Sequence, residues 1–228
     1  MLSQQITAPA GSNRSSAAIR TRALLACGAV AGPVFIAAVL IQALSRPGFD
    51  LTRHPASLLS LGDLGWIQIT NFVVTGLLFV VSAASMLQMV RRGQPGGWAP
   101  ILIGVFGVSM VFGGVFLADP GLGFPPGAPA GRPTGSSWHA MVHLGALAIG
   151  FTSLVAASAA FTRRYWSLAR PGWAAYCAGT GVFLAACFVI VMSGLTGGNL
   201  LPLNVAVIVG WTWASAVVAH LTRGVSRN

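Results

Sequence analysis

The chain has no lysine and no glutamate, and its only acids are Asp50, Asp63 and Asp119. Charged residues make up 7% of its 228 positions, where a soluble domain would carry about a quarter. So few charges cannot clothe a surface in water, but they suit one that faces lipid. None of the three acids falls inside a long apolar run, so the midplane carboxylates that many ion-coupled transporters use are missing. Cysteine is scarce as well. Cys27, Cys177 and Cys187 lie in apolar stretches with no CxxC pair, and read as small buried hydrophobes rather than disulfide or metal-thiolate sites.

What is present is hydrophobic. Apolar residues make up 55% of the chain, with a mean hydropathy of +0.77. They gather into six runs, at 23–44, 66–90, 98–118, 138–161, 173–193 and 202–221. Each is near the ~20 residues that cross a bilayer core. Trp66, Trp98, Trp138 and Trp173 open four of these runs, as suits a residue favoured at the membrane interface. The expected fold is all-α: a polytopic integral membrane bundle of six transmembrane helices over residues 21–222. A flexible tail, 1–20, precedes it, and a short tail, 223–228, follows. Ala43-Leu44-Ser45 resembles a signal cleavage site, but the first run is longer than the roughly 7–15 residues of a signal h-region. Gly28 and Gly32 form a GxxxG that lets a neighbouring helix approach closely, and Pro33 is placed to kink that span.

All thirteen cationic residues are arginine, giving a net charge of +10. They sit in short clusters between apolar runs, a cytoplasmic-loop pattern rather than a nucleic-acid footprint. With the N-terminus inside, Arg14, Arg20, Arg22, Arg91, Arg92, Arg163, Arg164, Arg170, Arg223 and Arg227 fall on the cytoplasmic side. Arg46, Arg53 and Arg132 fall outside, balanced by the three aspartates. Both termini are therefore expected in the cytoplasm. The expected partners are membrane lipids, with anionic headgroups at the cytoplasmic face, and no nucleic acid.

The polar residues of interest collect on the outer side. The first outer loop, 46–65, holds Asp50, Arg53, His54, Ser57 and Asp63, with a short interfacial helix expected to start near Pro55. The third, 119–137, is dense in Gly and Pro and should form fixed turns. Together the two loops suggest a polar cup or lid. Gln68 and Asn71 share a face of the second span, and His139 and His143 share one face of the fourth. Asn199 precedes the sixth span.

His54, His139 and His143 are candidate ligands of a zinc ion, with Asp63, Asp119 or Ser57 as catalytic groups. Asp50, Arg53, Gln68, Asn71 and Asn199 are candidate ligand-binding groups. Each has a plainer alternative. His139 can sit at the interface and His143 can hydrogen-bond within the bundle, Asp63 and Asp119 can cap turns, and Arg46 and Arg53 can pair with Asp50 or lipid phosphate. Trp211 and Trp213 lie within the sixth run, as lipid-facing or packing residues, and His220 lies near its inner end.

Arg46-Pro-Gly-Phe-Asp50, His54, Ser57, Gly65-Trp66, Asn71-Phe72, Asp119-Pro120, Phe124-Pro125 and the pair His139 and His143 resemble a six-span bacterial and archaeal membrane family. It is catalogued as domain of unknown function 998. The resemblance covers roughly residues 20–222, and implies a six-helix bundle in a prokaryotic cytoplasmic (inner) membrane and no particular activity. A weaker likeness is to the alkaline ceramidase and adiponectin-receptor hydrolases. It rests on the order of His54 and Ser57, then Asp119, then His139 and His143. This chain departs from them in having six spans rather than seven and its HxxxH on the fourth span. Two functions stay open. One is a non-catalytic protein that binds a lipid or small ligand in the outer cup, or acts as a homo-oligomer or membrane-complex subunit. The other is a zinc-dependent membrane hydrolase of lipid-like esters or amides.

Overall fold

The structure, a computed structural model, describes residues 10–91, 97–131, 133 and 135–225. Among them it contains six α-helices, one short 3-10 helix and no strand. The helices are α1 (Ala10–Ser45), α2 (Gly65–Arg91), α3 (Ala99–Val115), α4 (Trp138–Ser167), α5 (Pro171–Met192) and α6 (Leu201–Val225), with the 3-10 helix at Ala56–Ser60. All but α3 are long and apolar enough to cross a membrane. The 17 residues of α3 rise about 25 Å, the short end of the spanning range. The chain is thus a multi-pass membrane protein.

Two boundaries differ from expectation. α1 begins at Ala10, well inside the stretch expected as a flexible tail, because a helix already nucleated extends through Ala- and Arg-containing sequence without an apolar stripe. α3 stops at Val115, and Phe116 turns extended, three residues before the apolar run ends. Of the expected tails, 1–20 and 223–228, residues 1–9 and 226–228 lie outside the described residues, as do Arg92, Arg132 and Arg227.

Consecutive helices pack side by side, and α6 returns to α1, so the six close into a ring. Close approach between α1 and α6 depends on Gly32 of the GxxxG, while a Cβ on Gly28 would first meet Ser82 of α2. A Cβ on Gly32 would sit 2.3 Å from the Trp211 carbonyl oxygen. Ser215 then stitches the crossing, accepting from Gly32 N–H at 2.8 Å and donating to Gly28 O at 2.8 Å. The approach lets Trp211 reach the middle of the ring. Its indole stacks on Phe35 of α1 at 5.3 Å and meets Phe106 of α3 edge-on at 4.7 Å and Phe151 of α4 at 6.1 Å. Of the two readings of Trp211, packing is the one observed. Outward faces carry Val34, Ile41, Leu77, Val108, Ile149 and Val182, all exposed, as a lipid-facing surface requires.

Gly32→Val should therefore cost about 1–3 kcal/mol through overpacking, read as a lower Tm in detergent. Gly179, whose added Cβ would meet open space, is the control, and Gly179→Val should melt with the parent.

Candidate functional site

One end of the ring is closed by a cap of irregular backbone, and its carbonyls must find donors because lipid supplies none. Arg46, directly after α1, supplies two. Its guanidinium turns inward and donates to the carbonyls of Leu59 and Leu61, with its central carbon 4.9 Å over the Phe124 ring. Burial pushes its pKa down, and the charge of Asp63 partly offsets this. The pairing of Arg46 with Asp50 or lipid is thus replaced by an internal strut. The 3-10 helix does start after Pro55, as expected, but Ala56, Leu58, Leu59 and Ser60 are buried rather than interfacial.

The Gly/Pro-rich loop docks on this platform. Leu122 adopts a left-handed φ of 60°, uncommon for a branched side chain. Its carbonyl accepts from His54 Nε2 at 3.0 Å and from Arg53 Nη2 at 3.3 Å. The other His54 nitrogen, Nδ1, accepts the Asp50 N–H at 2.9 Å. Phe124 plugs the centre of the cap, fully buried and edge-on to Phe49 at 5.1 Å. The two loops do pack together, yet they form a filled plug and not an open polar cup.

The expected site residues are spread over several places. Asp50 Oδ1 accepts from the Thr52 amide and hydroxyl at 2.8 and 2.7 Å, and those bonds hold its carboxyl below the usual range. Asp119 accepts the Ser137 N–H at 2.8 Å, and bonds from Ser137 lower its pKa likewise. Ser137 in turn caps α4 by accepting from Ala140 N–H. Asn199 Oδ1 accepts from Leu201 N–H at 2.8 Å and caps α6. Asp63 is exposed. His139 is exposed against Trp138, at 4.0 Å between rings. Gln68 and Asn71 share a buried face, as expected. There Gln68 Oε1 accepts from Gln42 Nε2 at 2.8 Å and from Asn71 Nδ2 at 3.2 Å. Gln42 was not among the residues singled out from sequence.

The three histidines do not converge as zinc ligands. Both nitrogens of His54 are engaged by backbone groups, His139 is exposed, and His143 is buried in the bundle. Among the described residues, no three His, Cys, Asp or Glu side chains gather at metal-binding spacing.

Ser57 and His143 do come together. They line a chamber of about 50 Å³ beneath the cap, walled by Phe72, Phe106, Phe151 and Trp211 and with no charged side chain. His143 is 4% exposed. Its Nδ1 lies 3.1 Å from Gly113 O and 2.9 Å from Phe116 O, carbonyls that α3 leaves unpaired where it ends early. Those bonds assign the ring proton to Nδ1, which makes Nε2 an acceptor. No partner for Nε2 is found among the described residues. Ser109 also lines the chamber. The arrangement offers an imidazole, two serines and the buried, unpartnered indole N–H of Trp211 in an uncharged, aromatic-walled space.

Asn204 is the second residue missed from sequence. One turn into α6, it donates to Leu51 O at 2.7 Å and His54 O at 2.9 Å, and accepts from Ala56 N–H at 3.1 Å. A lone Asn just inside an apolar run was the available signal.

The chain matches the family model described as Protein of unknown function (DUF998) over residues 29–220. It belongs to that family. No curated protein and no solved structure matches it.

Asn204→Leu keeps the volume but strands three backbone groups of the cap, each worth about 1–3 kcal/mol when left unpaired. Amide exchange in residues 51–56 should accelerate by at least about tenfold, while the amides of α5 keep their protection. Unchanged exchange in the loop would contradict the strut assignment.

Proposed function

We propose that this member of the family is a six-span protein of a prokaryotic cytoplasmic membrane, with both termini inside, that binds a small uncharged amphipathic molecule or lipid. Treating α3 as the sixth span rests on its apolar composition and its place in the ring. The Arg-rich connections support an inward position for the end opposite the cap, where anionic headgroups would meet them. The cap then faces outward and covers the chamber.

One observation carries the binding reading: the chamber is lined by Trp211, whose buried indole N–H has no hydrogen-bond partner among the described residues, and by His143, whose Nδ1 is already taken by carbonyls of α3. A buried polar group left unpaired costs free energy that a complementary partner restores. The ligand group must accept a hydrogen bond from the Trp211 indole N–H and can donate one to the imidazole of His143. It must also be neutral, because no lining side chain could balance a charge at this depth. A hydroxyl satisfies both conditions and fits about 50 Å³. No observation favours the zinc-hydrolase alternative over this one.

The test is native mass spectrometry of the detergent-purified protein, with organic extraction of what copurifies. An uncharged hydroxyl-bearing molecule, near one per chain, is expected. His143→Asn retains a donor for the α3 carbonyls but removes the Nε2 acceptor, and should lose the molecule while Tm stays near the parent's. Retention in the folded variant would overturn the reading, as would a stoichiometric metal lost on that substitution.

A further inference from the structure

We propose that Gln42, Gln68 and Asn71 form a site for one tightly held water molecule, between the end of α1 and the start of α2 and independent of the chamber. All three side chains are buried, at 4%, 0% and 7% exposure. Their hydrogen bonds fix which end of each amide is oxygen and which is nitrogen. Gln42 reaches the Ala38 carbonyl at 3.0 Å, and Asn71 reaches the Phe35 carbonyl at 3.1 Å. A carbonyl only accepts, so the atoms facing these two are the nitrogens. The same two nitrogens meet one atom of Gln68, at 2.8 and 3.2 Å, and that atom must be its oxygen.

Three buried amide atoms are then without a partner among the described residues: Gln42 Oε1, Asn71 Oδ1 and Gln68 Nε2. The amides of all three meet at Gln68 Oε1. The unpaired atoms therefore lie within one hydrogen bond and one amide width of it. Two acceptors and one donor in so small a space call for a molecule that donates twice and also accepts. Water does both, and a buried water makes about three hydrogen bonds to groups that would otherwise stay unpaired. Other occupants fail on the same count. A cation suits the two oxygens but meets the amide hydrogens of Gln68, and an anion suits those hydrogens but meets the oxygens. An alcohol donates once and brings carbon, while none of the three atoms has appreciable exposed surface. The water ties the two helices together, through Gln42 Oε1 on α1 and through Gln68 Nε2 and Asn71 Oδ1 on α2. It also relieves the cost of leaving three polar atoms unpaired in an apolar bundle.

The test is a crystal structure of the full chain grown in lipid, resolved well enough to show ordered water, for the parent, Gln68→Met and Gln88→Met. In the parent, density is expected at hydrogen-bond distance from all three atoms. Gln68→Met keeps the side-chain length but removes both the shared oxygen and the donor, and should lose the density. Gln88 is exposed on α2, and Gln88→Met should retain it. A companion measurement needs no variant. In nanodiscs, heteronuclear NMR should show the side-chain amide protons of Gln68 taking up magnetisation from a long-lived water. An empty site in the parent, or density that touches fewer than the three atoms, would overturn the inference. So would a Gln68 amide turned to bond other protein groups, or short contacts to both oxygens of the kind a cation makes. Density that persists in Gln68→Met, or Gln68 amide protons that receive nothing from water, would overturn it equally.

Discussion

Buried backbone that leaves a helix has no water to satisfy it, and the cap end of this protein is organised around that constraint. Arg46 supplies donors to Leu59 and Leu61, His54 to Leu122, and Asn204 to Leu51 and His54. His143 does the same for Gly113 and Phe116 at the end of α3. Each side chain would look functional in isolation. Each is occupied in pairing carbonyls that would otherwise be stranded, and together they let the irregular chain at this end seal the bundle.

The division of labour within His143 follows from the same constraint. An imidazole that donates from Nδ1 keeps an acceptor on the far side of its ring. His54 has both sides engaged by backbone. His143 has its Nδ1 on the carbonyls of Gly113 and Phe116, and the residue lines the chamber. The proposed binding site therefore sits beneath the cap and not within it, in a space walled by the aromatic rings around Trp211. The close α1–α6 crossing at Gly32 puts that indole at the centre of the ring, which links the helix packing to the shape of the chamber.

Much of the fold was legible because lipid imposes a one-dimensional code. Run length and flanking Trp mark the apolar helices, and the Gly28/Gly32 spacing marks the close crossing that Ser215 completes. The turn role of Asp119 was readable from its neighbours, whereas that of Asp50 was not expected. The site was less legible. His54 and His143 look alike as residue types, and only the hydrogen bonds on each nitrogen tell them apart. Asn204 and Gln42 went unnoticed because a single amide in an apolar run carries no periodic signal, and its partners are remote: Gln42 meets Gln68 and Asn204 meets Leu51. The early end of α3 was hidden too, since Phe116 to Ala118 continue the apolar run while the backbone has already turned extended.

The most direct test of this account is the protonation pattern of the His143 ring, read by heteronuclear NMR of protein with labelled histidine. The account predicts a proton fixed on Nδ1, an unprotonated Nε2, and an Nε2 resonance that moves when a small uncharged alcohol is added while the His54 ring stays unchanged. A proton on Nε2, or an Nε2 signal indifferent to the alcohol, would contradict it.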